Sequence, residues 1–319
     1  MSRAARARTG MPRTQRGIAL VLALWITILL TAIAGSFAFS MRSEALAARN
    51  AVSAAQAQAI ADGAVERFAY ELQRPRNVTL DAWNADGRIR KWQDGDAQIA
   101  AVATDESAKI DLNNASQPLL TSLLQNVGGL SPEDAQAVMD AILDWRDQDD
   151  LKRPNGAEEP EYRAAGRKYR PANGPFEAVG ELRLVLGVTP ALYDRVAPAL
   201  TVFSRQAGIN PSTAPRDVLL ALPNTTPDTV DAFIAQRQEA LEQNLPVPPF
   251  APAQAFATGA IPVWRIHAEA TLPDGVTFVR DAVVRPSNDP KRGLVALLWQ
   301  EGTATLSQPA APAAVAANK

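Results

Sequence analysis

From Ile18 to Met41 the chain reads IALVLALWITILLTAIAGSFAFSM, 24 residues with no charge and no proline. An α-helix rises about 1.5 Å per residue and the hydrocarbon core of a bilayer is about 30 Å thick, so this run is long enough to span one. A signal-peptide core of roughly 7 to 15 residues would be shorter than this run. Ahead of the run lie Arg3, Arg6, Arg8, Arg13 and Arg16 without a single acid. By the positive-inside bias they hold the N-terminus in the cytoplasm and put the bulk of the chain on the other side of the membrane; the expected setting is a bacterial inner membrane with that bulk in the periplasm.

The helical pattern continues past the apolar run. Residues 42–73 are rich in alanine, glutamine and glutamate, contain no proline, and stop just before Arg74-Pro75. Ile60, Ala64, Phe68 and Leu72 recur every four residues, which predicts one packing face, with Asp62, Glu66 and Arg67 left in water. After segments around Trp83 and Trp92, AQIAAVAT (97–104) reads as a strand. Near the other end, VWRIHAEATL and VTFVRDAVVR alternate with period two on either side of Pro273-Asp274-Gly275, a hairpin signature. GLVALLWQ (293–300) supplies a third strand, and the Ala/Pro-biased tail 303–319 has too little bulky apolar surface to order itself.

Between these β regions the pattern turns helical and weakly repeats. Residues 110–146 align with 209–238: an Ile-x-x-x-x-Ala opening, a Leu-rich helix, a turn, a Ser/Thr-Pro-acid cap and a second helix. Residues 181–200 resemble the same unit without its opening. Such units resemble helix-hairpin-helix motifs, which opens the alternative of a membrane-anchored DNA-binding or DNA-uptake protein. Phosphate binding needs glycine-rich turns and nearby bases. The first unit has Gly128-Gly129, the second has Pro223-Asn224-Thr225-Thr226, and residues 105–160 hold twelve acids against four bases. That charge repels DNA and argues against a nucleic-acid partner.

Composition narrows the chemistry further. There is no cysteine and one histidine, His267, inside an alternating strand, so thiol chemistry, Ser-His-Asp triads and multi-histidine zinc sites are excluded or nearly so. No catalytic residue is expected. What remains is the segment DWRDQDDLKRPNGAEEPEY (144–162), where Asp147, Asp149, Asp150, Glu158 and Glu159 crowd one irregular stretch. Carboxylates so close repel unless neutralised, either by a hard cation such as calcium or by Arg146 and Lys152. The spacing is not that of an EF-hand.

Taken together, the leader ending Gln15-Arg16-Gly17 before Ile18, the segments DESAKIDLN (105–113), ILDWRDQDD (142–150) and YRPANGPFEAVGEL (169–182) resemble the minor pseudopilin K family of the type II secretion system. The resemblance implies an α+β, pilin-like fold: a long N-terminal helix on a small antiparallel sheet, with a large inserted all-helical domain. It implies a leader (1–17) cut by prepilin peptidase after Gly17 and N-methylation of Ile18. The membrane span is then 18–41, the rest of the helix and first sheet part 42–104, the insert 105–255 and the last strands 256–302. It also implies calcium in the insert, with Asp147, Asp149, Asp150, Glu158 and Glu159 as candidate ligands. The function implied is non-enzymatic: a subunit at the pseudopilus tip, complexed with minor pseudopilins I and J. Other pseudopilins, secreted substrates and the outer-membrane secretin are the further partners. Where ordinary pseudopilins carry a glutamate at the fifth mature position, this chain has Leu22. A carboxylate in hydrocarbon needs a partner amine from the preceding subunit, and a tip subunit has no predecessor.

Overall fold

The computed structural model describes residues 15–74, 83–243, 245–254, 256, 262–287, 289, 293–303 and 306. The first fourteen residues of the leader and nearly all of the Ala/Pro tail therefore lie outside the described residues. The chain forms two units, Met1–Gln56 and Ala57–Lys319.

Among the described residues of the first unit the single element is helix α1 (Gln15–Gln73), whose C-terminal end belongs to the second. Every residue from Ile18 to Val52 is exposed, including Leu20, Leu24, Trp25, Phe37 and Phe39. Thr27 and Thr31 donate their hydroxyls to the carbonyls of Ala23 and Thr27 at 2.8 Å, which satisfies these polar groups within the helix. A helix of this length with such a surface fits hydrocarbon, where every backbone group must be bonded internally.

The second unit is built on a five-stranded antiparallel sheet of β1 (Arg90–Asp94), β2 (Ala97–Asp105), β5 (Trp264–Thr271), β6 (Thr277–Pro286) and β7 (Leu294–Glu301), in that spatial order. The end of α1 packs on one face. Ala64, Val65, Phe68 and Ala69 meet Ile99, Ala101 and Ala103 of β2, Trp264, Ile266 and Ala268 of β5, and Ala282 and Val284 of β6. The alanines keep this layer thin enough for a helix to seat, and burial of Phe68 alone contributes about 2 to 3 kcal/mol. Trp83 packs edge-on to Phe68 at 4.6 Å and tilts against Trp92 of β1 at 5.4 Å. Asp62 is not left in water as its helical position suggests. It pairs with Arg280 of β6 at 2.5 Å, a side chain held between the rings of Phe278 and Trp299.

Neighbouring strands β2 and β5 run antiparallel with Asp105 opposite Trp264, so the chain leaves and re-enters the sheet side by side. The whole insert hangs from that point, closed at its base by a hydrogen bond from Glu106 N to Val263 O of 2.8 Å. An insertion whose ends lie together leaves the host sheet undisturbed. The insert packs α2 (Gln117–Asn126), α3 (Pro132–Arg146), α4 (Glu159–Ala164), α5 (Pro190–Val196), α6 (Arg216–Leu220) and α7 (Pro227–Glu242) around its own core. One pair of two-residue parallel strands, β3 (Ile110–Asp111) and β4 (Leu200–Thr201), interrupts its helical character.

The repeated units are helix pairs. Between α2 and α3, a Cβ on Gly128 would collide with the Leu124 carbonyl, and Gly129 adopts φ 71°. In the α6–α7 turn Asn224 takes φ 61°, so asparagine serves where the other unit uses glycine. Ser131 and Thr226 cap the second helix of each pair through Asp134 N and Thr229 N.

Candidate functional site

Two regions carry the chemistry singled out in the sequence. At the N-terminus, α1 is already helical through Gly17 and Ile18, and the side chains of Ile18 and Leu22 are exposed.

The second region lies where α3 ends. Its last turns direct Asp140 and Asp144, one helical turn apart, toward the loop 147–158. Asp140 accepts Gln136 Nε2 at 2.7 Å and both the backbone and side-chain nitrogens of Asn155 at 3.2 Å. Asp144 is fully buried and accepts Arg153 N at 3.2 Å. Asp147 follows as the helix C-cap, with Oδ2 3.2 Å from Arg153 Nη2, while its buried Oδ1 has no hydrogen-bond donor. Glu158 is buried, and neither of its carboxylate oxygens has a donor.

Electrostatics follow from this crowding. Burial pushes the Glu158 carboxyl up, and Asp144, Asp147, Asp150 and Asp149 add to the effect, bringing it to about 7. Asp144 and Asp147 are also raised, first by burial and then by neighbouring carboxylates that Arg153 only partly offsets. The outer part of the loop is wetter. Asp149 accepts Leu151 N at 2.9 Å, and Asp150 accepts Asn173 Nδ2 at 2.8 Å. Asn173 adopts φ 49°, and its own Oδ1 is buried without a donor. Behind the loop, Trp145 packs against Tyr162, Tyr169 and Phe176 with ring centres 6.0 to 6.4 Å apart.

The structure thus brings together Asp147, Asp149, Asp150 and Glu158. Glu159 lies apart: it is the first residue of α4 and pairs with Arg163 in solvent. Sequence reasoning missed Asp144, which reads as an ordinary helix residue. It also missed Asn173, although the stretch YRPANGPFEAVGEL contains it. Of the two bases expected to neutralise the acids, Arg146 instead donates to the Leu112 carbonyl and Lys152 reaches Glu161. Arg153 is the base inside the cluster. Among the described residues no three acid or histidine side chains converge as they stand to grip one ion. The Arg153 guanidinium, 3.3 Å from Asp144 Oδ1 and 3.2 Å from Asp147 Oδ2, occupies the intervening space.

A helix suited to a membrane, a small antiparallel sheet under its C-terminal end and a helical insert hung between adjacent strands define a pilin-like subunit with an inserted domain. A sequence profile described as type II secretion system, protein K, matches residues 98–205. The chain is 34% identical to type II secretion system protein K of Klebsiella pneumoniae over 233 residues, covering 66% of this chain and 71% of that one. It is 27% identical to the protein K of Pseudomonas aeruginosa, over 71% and 74% of the two chains. A chain in the crystal structure of the GspK-GspI-GspJ complex from enterotoxigenic Escherichia coli shares the fold, with a TM-score of 0.58 at 18% identity over 83% of this chain and 99% of that one. This chain belongs to the type II secretion system protein K family. That membership leaves the DNA-uptake reading without support.

Proposed function

We propose that the chain is a minor pseudopilin that stands at the tip of the secretion pseudopilus, initiates its assembly and has no enzymatic activity. The carrying observation is family membership together with a fold matched along 99% of a chain solved with GspI and GspJ. Minor pseudopilins I and J are its immediate partners, with other pseudopilins below. The insert faces secreted substrates and the outer-membrane secretin, and a domain this large suits a filament end rather than a packed shaft. Prepilin peptidase cuts after Gly17, and Ile18 becomes the methylated N-terminus. The arginine leader supports a cytoplasmic start and a periplasmic bulk. Leu22, uncharged and exposed in the apolar run, suits a subunit with no predecessor.

Calcium belongs to the same reading. Its donors are hard oxygens, and this cluster offers buried ones without hydrogen-bond donors: Asp147 Oδ1, both oxygens of Glu158, and Asn173 Oδ1. Asp144, Asp147, Asp150, Glu158 and Asn173 would hold the ion, with Asp149 beside them and Glu159 left out. The ion would supply the positive charge that lets the loop close on the aromatic wall.

Co-expression with minor pseudopilins I and J of the same system tests the assignment: the three co-purify as one complex. Failure to do so, with each chain folded, removes the tip role. In the same cells the intact mass of the chain is shortened by its leader, and Gly17→Val abolishes the shortening.

A further inference from the structure

We propose that the turn after α4 is a docking surface for an acidic protein, held through Arg167, Lys168 and Arg170. From Arg163 to Arg170 the chain carries four bases and no acid. Arg163 is engaged by Glu159. The other three are exposed, and no carboxylate among the described residues lies within ion-pair distance of them. Most of the neighbouring acids are committed elsewhere. Glu161 holds Lys152, Asp150 holds Asn173, Glu181 accepts the backbone N–H groups of Glu177 and Ala178, and Asp194 faces Arg183 at 3.8 Å.

The bases are presented from a rigid frame. Gly166, at φ 73°, reverses the chain, and Arg167 N closes the helix end on Tyr162 O at 2.9 Å. Tyr169, between Lys168 and Arg170, is pinned by Tyr162 at 5.7 Å and Trp145 at 6.4 Å, and its hydroxyl donates to Leu184 O at 3.1 Å. Little backbone order has to be created on binding. Two guanidinium forks match carboxylates in a bidentate manner. Beside them, half-buried Tyr169 and exposed Leu184 offer the aromatic and apolar contact area typical of protein interfaces. Three like charges on one turn repel each other, so an acidic partner gains both attraction and relief of that repulsion.

The full chain in nanodiscs of zwitterionic lipid, titrated against a fluorescein-labelled glutamate-rich dodecapeptide by anisotropy, tests the surface. Replacing Arg167, Lys168 and Arg170 together by Gln is expected to weaken binding by about tenfold, and so is raising salt from 50 to 200 mM. Replacing the exposed bases Arg88 and Lys91 of the sheet edge by Gln leaves it unchanged. Lys168→Glu alone weakens it in the same direction. Equal binding by the triple variant overturns the proposal. So does a chain that ignores the peptide but binds phosphatidylglycerol vesicles through these residues. The readout needs neither leader cleavage nor assembly with other pseudopilins, so its failure leaves the tip reading intact.

Discussion

Arg265 Nε lies 2.9 Å from Glu106 Oε1, and Nη1 of the same guanidinium lies 2.7 Å from Asp281 Oδ2. One side chain of β5 thereby ties Glu106, the residue that follows β2, to the neighbouring strand β6. Glu106 is 1% exposed and also receives Lys109 Nζ at 3.0 Å and the Thr201 hydroxyl. Burial alone would push its carboxyl up, but Lys109, Arg265 and Thr201 outweigh it and hold it below the usual carboxylate range.

Removing one partner of a buried, multiply bonded pair leaves the other charge without compensation. Arg265→Ala is expected to destabilise the chain by about 3 to 5 kcal/mol, read by denaturant unfolding in detergent. A loss below about 1 kcal/mol would place this contact among ordinary surface pairs.

The acidic loop predicts an inverted pH dependence for the metal-free protein. Glu158 binds its proton more tightly folded, at about 7, than unfolded, near its ordinary value of 4.5. Stability is therefore highest below the unfolded value and falls as pH rises through the folded one. In chelator, stability should drop between pH 5 and 8, by at most about 3 kcal/mol from this group. Saturating calcium should flatten the dependence, and Glu158→Gln should flatten it without calcium. Superimposable melts with and without chelator at pH 8 would remove the metal from the account.

Gly156 sits against the same cluster. A Cβ there would collide with the Asp144 carboxylate, which is fully buried and cannot swing aside. Gly156→Ala should cost about 1 to 3 kcal/mol and lower calcium affinity, measured by isothermal titration. Gly166→Ala, with open space around its Cβ, is a control strained only through its φ of 73°.

Leu22→Glu places a carboxylate in the apolar run, which is costly in hydrocarbon unless an amine partner is present. If the chain initiates assembly, this variant gains no partner and should lower pseudopilus yield in a reconstituted secretion assay. A subunit within the shaft would instead tolerate it.

Much of this protein is legible in its sequence because the signal is local. The span 18–41 follows from length and the absence of charge, α1 from its alanines and missing prolines, and β5 and β6 from period-two alternation around Asp274-Gly275. The short strand β1, RKWQD, has no alternation to read. It exists because Gly95, at φ 56°, turns it back onto β2.

The acidic loop divides along the same line. That carboxylates crowd residues 144–159 is written in composition and spacing. Which of them meet depends on packing: Glu159 turns out to Arg163 while Glu158, one residue earlier, is buried. Asp144 joins through the period of α3, and Asn173 through the packing of a segment far along the chain. Asp62 likewise looked solvent-facing on its helix and found Arg280 across the sheet. Local pattern specifies elements because backbone geometry is local; partners of charge depend on which elements pack, and only the folded chain brings those side chains within reach.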